Sequence, residues 1–361
     1  MVSLKNLCVF SYKLENFMIN SSEFHYNYVY FNANSNGKVI DPNEYNAICT
    51  RDLETLDNVV VIQVPLQKSS KILRLLYNIH NSPRLNNAIN LPFKKVWYPY
   101  YFKDCFKDNR PYCFVFASTS YPLEYIDYLR NTYPNCKIVK IHRDLVKVSH
   151  LNPLYSEENM NRIFDLRLTF DPREAELYGM VHFNEIESKV NVDIDPNYPL
   201  ADVFFAGKAK DRLPKLIEAY DLFSSFGLKC DFFITHVDRE NQVQRDGITY
   251  SNCFMPYMEM LHRSVNARFM FDINQSGALG YTSRFLEAVI YNKRLITDNA
   301  AVKDTVYYKT GNILYYERIS DIDKSFFEKT EANYQYQGDF SPINLLRIID
   351  RELVSSNKHH V

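Results

Sequence analysis

FDINQSGALGYTSRFLEAVIYNKRLITDN, residues 271–299, is the stretch on which the fold of this chain turns. An apolar run ends in the acid Asp272, and a polar turn containing Gly277 and Gly280 follows. After it come a helix over TSRFLEAVIY and a second strand over KRLITDN. A strand–loop–helix–strand unit with charged residues at the loop is how parallel sheets hold a ligand at their carboxyl ends. Working outward, the same alternation continues. DVFFAG reads as a short buried strand, and RLPKLIEAYDLFSSF as a helix with Leu213, Leu216, Ile217, Tyr220 and Phe223 at helical spacing and Gly227 at its end. CDFFITHV, GITYSNCF, ARFMFDIN and NILYY read as strands, and PYMEMLHRS as a helix opened by Pro256.

Toward the N-terminus the style repeats. NVVVIQVP, YCFVFAS, CKIVKIHRD and FDLRLTFD read as strands. SSKILRLLYNIHN (capped by Ser69 or Ser70), PLEYIDYLRNTY, SEENMNRI and PREAELYG read as helices. NVDIDPNYPL, with two prolines and no periodicity, is the natural linker. The expected class is therefore α/β, with two doubly wound domains. An N-terminal domain spans residues 1–195, a second spans 196–335, and a helix in 336–361 returns across the boundary.

Composition agrees with two ordinary soluble domains: 361 residues, 46% apolar and 24% charged. A formal net charge of −1 argues against a general nucleic-acid binder. The seven cysteines are odd in number, scattered and never in a Cys-x-x-Cys pair, as expected of reduced thiols in a cytosolic protein. No segment approaches the ~18 apolar residues of a membrane span, and the N-terminus is interrupted too early for a signal peptide. Both point to a cytoplasmic location.

Two facing domains create a cleft, and the residues at its rim suggest what it holds. Gly-x-Gly-x-x-Gly, the P-loop and Gly-x-Ser-x-Gly are all missing. Instead, Gly207 is followed by Lys208, Lys210 and Arg212 at the start of a helix, a combination suited to a phosphate or diphosphate. His236 lies at another strand end. Gln275, Ser276 and Gly277 lie just past the strand that ends in Asp272, and Thr282 or Ser283 can cap the next helix. On that helix Arg284 and Glu287 are three apart and share a face. A carboxylate there can accept both hydroxyls of a ribose, and an arginine can bind phosphate. The competing account is an Arg–Glu pair that merely orders the helix start.

These residues, Asp272, Gln275, Gly277, Thr282, Arg284, Glu287, Ala288, Lys293 to Thr297 and Asn299, resemble a pattern of bacterial glycosyltransferases of polysaccharide biosynthesis. That family makes capsule, exopolysaccharide or lipopolysaccharide and has the GT-B fold. The resemblance runs from about Leu91, is strongest over residues 202–299, and leaves the first ~60 residues uncovered. The chain departs from the pattern by an extra Ala-Leu-Gly-Tyr between Gly277 and Thr282. The resemblance implies that the C-terminal domain holds a nucleotide sugar, with Glu287 on the ribose and Gly207, Lys208 and Arg212 on the diphosphate. Gln275, Ser276 and Arg284 would face the diphosphate or donor sugar. It implies transfer to a glycan, lipid-linked or oligosaccharide, with no metal or other cofactor, because cations and backbone N–H groups stabilise the leaving diphosphate. A base for an inverting transfer is expected from the other domain, with His142 and Asp144 as candidates and Asp171 behind them. A retaining mechanism needs none.

Two rival readings remain at this level. One is a metal-dependent transferase using Asp193 and Asp195 of VDIDP as a metal-binding Asp-x-Asp, although no strand positions them. The other is a non-catalytic two-domain sugar- or nucleotide-binding protein. Finally, Lys68, Lys71, Arg74 and Arg84 lie beside Ile72, Leu73, Leu75, Leu76 and Tyr77, and Lys94 and Lys95 beside Trp97. That mixture suits peripheral contact with the inner face of a membrane through residues 68–107, unless the helix buries its leucines in the core and Trp97 is itself a core residue.

Overall fold

Short runs of β-branched and aromatic residues become parallel strands when helices cover both faces of the sheet. The structure, a computed structural model, describes residues 21–32, 44–89, 91–117, 121–143, 145–146, 157–274 and 280–358. Within these, two six-stranded sheets form, and every described strand pairing is parallel. The first sheet contains β1 (Asn27–Phe31), β2 (Val59–Ile62), β3 (Tyr112–Ala117), β4 (Lys137–His142), β5 (Leu166–Thr169) and β6 (Val181–His182). Its order is β2-β1-β3-β4-β5-β6. The second contains β7 (Ala201–Lys208), β8 (Cys230–Thr235), β9 (Ile248–Ser251), β10 (Ala267–Asp272), β11 (Arg294–Thr297) and β12 (Ile313–Tyr315). It is ordered β12-β11-β10-β7-β8-β9. This is the α/β architecture of two doubly wound, Rossmann-like domains.

The N-terminal sheet carries α1 (Glu44–Cys49), α2 (Lys71–His80), α3 (Pro83–Ala88), α4 (Tyr98–Tyr101), α5 (Leu123–Thr132), α6 (Glu157–Ile163) and α7 (Pro172–Tyr178). The C-terminal sheet carries α8 (Leu213–Ser225), α9 (Tyr257–Asn266) and α10 (Ser283–Ile290), and the chain closes with α11 (Pro342–Lys358). Local chemistry sets the ends. Ser70 caps α2 by accepting from Leu73 N at 3.3 Å, and Asp171 caps α7 by accepting from the N–H groups of Arg173 (2.9 Å) and Glu174 (3.2 Å). Gly227 follows α8 at φ +82°, a left-handed position that glycine adopts without strain.

The first sheet buries an aromatic layer on one face. Phe31 of β1 and Phe116 of β3 are register partners, and their rings stack at 4.8 Å. Trp97 belongs to that layer. Of the two readings the sequence left open for this tryptophan, membrane-facing or core, the packing matches the second: its ring lies edge-on to Tyr77 at 5.2 Å and its Nε1–H donates to His80 Nδ1 at 2.9 Å. A buried indole with a satisfied N–H is a core residue. The other face of the sheet is covered by α11, whose Ile343, Leu346, Ile349 and Leu353 pack with Tyr28, Val115, Val139 and Leu168.

A smaller apolar seam joins the two halves: Ile48 and Cys49 of α1, Val190, Phe204 of β7, and Tyr257, Met260 and Leu261 of α9. The carboxyl edges of the two sheets meet at the same side. Phe170, immediately after β5, lies against Gly280, which follows β10.

Candidate functional site

In a doubly wound sheet the ligand crevice opens where the strand order reverses. In the C-terminal sheet that point lies between β7 and β10, which are adjacent although α8, β8, β9 and α9 intervene in sequence. Gly207 and Lys208 end β7 at this crevice. Arg212 spans it: Nη2 donates to the Lys208 carbonyl at 2.5 Å and Nη1 to the Ile273 carbonyl. The guanidinium thus ties the two strand ends together, and its Nε is buried without a hydrogen-bond partner. It acts on the backbone of the crevice, whereas the sequence reading placed it on a diphosphate.

Lys208 is different. Its ammonium sits 4.9 Å from the centroid of the Phe254 ring, and the His236 ring lies 5.2 Å from the same aromatic. His236 is exposed and held at φ +57°. Phe254 is 66% exposed, a large ring left in solvent beside a cation and an imidazole. Sequence reading passed over Phe254; an aromatic between a strand end and a Pro-opened helix was the available signal.

The opposite lip is the β10–α10 loop. Gln275, Ser276 and Gly277 lie outside the described residues. The flanks are fixed by the residues of the motif itself. Buried Asp272 accepts from Thr282 Oγ1 and Thr297 Oγ1, both at 2.9 Å. Burial raises its pKa, and these two hydroxyls oppose the shift. Thr282 also caps α10 by accepting from Phe285 N at 3.2 Å. Asn299 Nδ2 donates to the Gly280 carbonyl at 3.0 Å, and Asp298 accepts from Asn274 N at 2.6 Å. Much of the motif therefore shapes the loop.

Arg284 and Glu287, near the start of α10, pair with each other. Glu287 is 0% exposed; its Oε2 pairs with Arg284, and the Tyr257 hydroxyl lies 3.2 Å from its Oε1. A ribose would have to displace both partners to reach this carboxylate. The same tyrosine hydroxyl donates to Glu187 Oε1 at 2.6 Å. Burial is the largest cause raising the pKa of both carboxylates. The charge of Glu287 adds to it at Glu187, whereas Arg284 opposes it at Glu287. Of the two, Glu187 is the carboxyl that burial and its neighbour push further toward the neutral form.

From the N-terminal domain, Tyr45 reaches Ser283 at the start of α10 (3.2 Å between hydroxyls). Its ring packs edge-on to Tyr257 at 4.9 Å, and Glu44 caps α9 by accepting from Tyr257 N at 2.7 Å. Arg143, just after β4, donates to Glu185 at 2.6 Å and to the Tyr45 hydroxyl at 3.2 Å. This buried seam of Tyr45, Arg143, Glu185, Glu187 and Tyr257 was not legible, because residues 183–190 form no regular element.

Of the base candidates, His142 is buried at the end of β4, and Asp144 lies outside the described residues. Asp171 is engaged as the α7 cap and in an ion pair with Arg173 at 3.1 Å. Asp193 and Asp195 sit on the connection between the sheets, where Asp195 accepts from the Asn197 N–H (2.9 Å) and side-chain amide (2.7 Å). Among the described residues no group of three or more His, Cys, Asp or Glu side chains is arranged to hold a metal.

The sequence matches no protein-family model and no curated protein. In structure the chain is similar to the lipopolysaccharide outer core galactosyltransferase WaaB, at 11% identity and TM-score 0.44 over 91% of this chain and 99% of that one. It is also similar to HepE of Anabaena, solved with UDP and glucose, at 10% identity and TM-score 0.49 over 91% and 99%. A third is the UDP-GlcNAc 2-epimerase of Methanocaldococcus jannaschii, at 11% identity and TM-score 0.43 over 91% and 99%.

Proposed function

We propose that the chain is a glycosyltransferase that moves a sugar from a nucleotide-sugar donor to a glycan acceptor, lipid-linked or oligosaccharide, in the cytoplasm and without metal. The observation that supports this best is the crevice at the β7/β10 reversal. Lys208 stands on one lip, the capped start of α10 on the other, and the carboxyl edge of the first sheet faces both. Breaking a glycosyl–phosphate bond builds negative charge on the departing diphosphate. A fixed ammonium and preorganised N–H groups stabilise that charge most where it is largest, in the transition state.

In this reading Gly207 lets the diphosphate approach the β7 end, and Lys208 is the cation that meets it. Arg212 holds the two strand ends at the right separation. Gln275, Ser276 and Gly277 complete the donor-side loop with Thr282. His236 and the exposed Phe254 flank the donor's nucleoside end, the ring offering a stacking face. Asp144 or His142 takes the acceptor proton if the transfer inverts.

Purified protein should be warmed against a panel of nucleotide sugars; a donor at a hundred times its dissociation constant adds about 2.7 kcal/mol of stability. The donor that shifts melting is then tested for release of free nucleoside diphosphate in the presence of acceptor. Lys208→Ala is expected to lower the maximal rate at saturating donor. A rate left intact, with only apparent affinity changed, would move Lys208 out of the leaving-group role. Transfer abolished by chelator and restored by manganese would overturn the metal-free assignment.

A further inference from the structure

Helix α2 turns its apolar stripe away from the protein. Ile72, Leu75, Leu76 and Ile79 recur at i, i+3, i+4 and i+7, the spacing of a core-facing helix. Yet they are 73%, 59%, 52% and 49% exposed, while Tyr77 on the opposite face is fully buried. Further along the chain Leu85, Ile89 and Phe93 are exposed as well. Nine of the fourteen large apolar side chains left exposed among the described residues fall between Ile72 and Tyr100. The helix is not loose: Ser70 caps it, and Tyr77 roots it on Trp97. An apolar face held outward on a rooted helix marks a surface meant to be covered.

Charge says by what. Residues 68–103 carry seven Lys and Arg and no Asp or Glu, in a chain with 42 basic and 43 acidic residues. Lys68, Lys71, Arg84, Lys95 and Lys103 are exposed in the same stretch of chain. A two-fold contact with a second copy would set these cations against themselves, which disfavours a dimer through this face. We infer that the α2–α3 face docks the protein on an anionic phospholipid bilayer, with Ile72, Leu75, Leu76, Ile79 and Phe93 entering the headgroup boundary and the lysines and arginines on the lipid phosphates. This is the geometry of a helix lying in the interface plane. Among the described residues no helix is long and apolar enough to cross a membrane. The inference needs neither the donor crevice nor the transferase reading.

The test is flotation of the full chain with phosphatidylcholine vesicles with and without phosphatidylglycerol, at low and high salt, with neither donor nor acceptor present. Binding is expected to anionic vesicles and to weaken as salt rises. Leu75→Glu/Leu76→Glu is expected to lower partitioning by roughly tenfold or more, and Lys71→Glu/Lys95→Glu to weaken it chiefly at low salt. Thermal melting checks that both variants stay folded; these side chains are already in solvent. Absence of binding to anionic vesicles, or unchanged binding by the leucine variant, overturns the inference. A concentration-dependent dimer dispersed by the same leucine substitutions would also overturn it, assigning the face to a second copy.

Discussion

The polar cluster under α10 makes opposite demands on two glutamates. Glu287 has a counter-ion in Arg284, whereas Glu187 is buried with one oxygen lacking any hydrogen-bond partner. Its folded pKa is raised above the ordinary glutamate value of about 4.3. A raised acid is at its most stabilising below that ordinary value, and the contribution is lost as pH climbs toward the folded value. Glu187→Gln removes the cost of ionisation. The variant should melt higher than the parent at pH 7–8, with the gap closing near pH 4. A pH-independent gap would show that Glu187 is not held protonated. The neighbouring pair adds a sign reversal. In Glu287→Ala, Glu187 becomes the counter-ion of buried Arg284, so adding Glu187→Gln should now destabilise, toward the ~3–5 kcal/mol of a broken buried pair. Urea unfolding of the four proteins in the cycle reads this directly. The sequence made Glu287 visible, because helical spacing pairs it with Arg284. Glu187 was invisible, since an irregular buried segment has no period to read.

At the scale of the element, β10, the α10 cap and β11 were legible from residues 271–299 because a change of hydrophobic period marks each boundary. β1 was not. Its NYVYF run is buried at every position in the middle of a sheet, without the alternation or turn punctuation that would mark it. Nor could sequence tell contact from support within the loop, where Asp272, Thr282, Thr297 and Asn299 bond to one another or to the backbone. Gly280 shows how tightly the described end of that loop is set. A Cβ there would fall 2.6 Å from Phe170 Cδ2 and 3.3 Å from the Phe170 carbonyl oxygen. Gly280→Ala should cost ~1–3 kcal/mol by overpacking the place where the two sheet edges meet. In a Phe170→Ala background most of that penalty should vanish. An equal cost in both backgrounds, by chemical unfolding, would locate the strain in the backbone and not in the contact between domains.

On the scale of the whole molecule, two segments cross between the sheets: the connection at residues 183–200 and the return to α11. The doubly wound class was legible because strand and helix periods alternate along most of the chain. The sequence led us to expect that the last helix returns across the boundary, but not which face of the first sheet it covers, since α11 is amphipathic enough for either. In the structure it packs on the face that carries Tyr28, Val115, Val139 and Leu168. Asp350 accepts from the Tyr28 hydroxyl at 2.7 Å and from His25 N at 2.9 Å, joining residues more than three hundred positions apart. Ser341 donates to Asp52 at 2.6 Å as the helix begins. The last helix is thus part of the first domain's core, and damage to it should be felt there. Leu346 is fully buried, so Leu346→Ala should cost ~2–5 kcal/mol. Because the seam between halves is small, that loss should fall on the N-terminal sheet and split a single calorimetric transition into an earlier N-terminal and a later C-terminal step. Hydrogen exchange should then quicken in β1, β3 and β4 while β7 and β10 keep their protection. Uniform loss of protection in both sheets would mean instead that the polar seam couples the domains into one cooperative unit, and that the cleft between them opens only when the whole chain does.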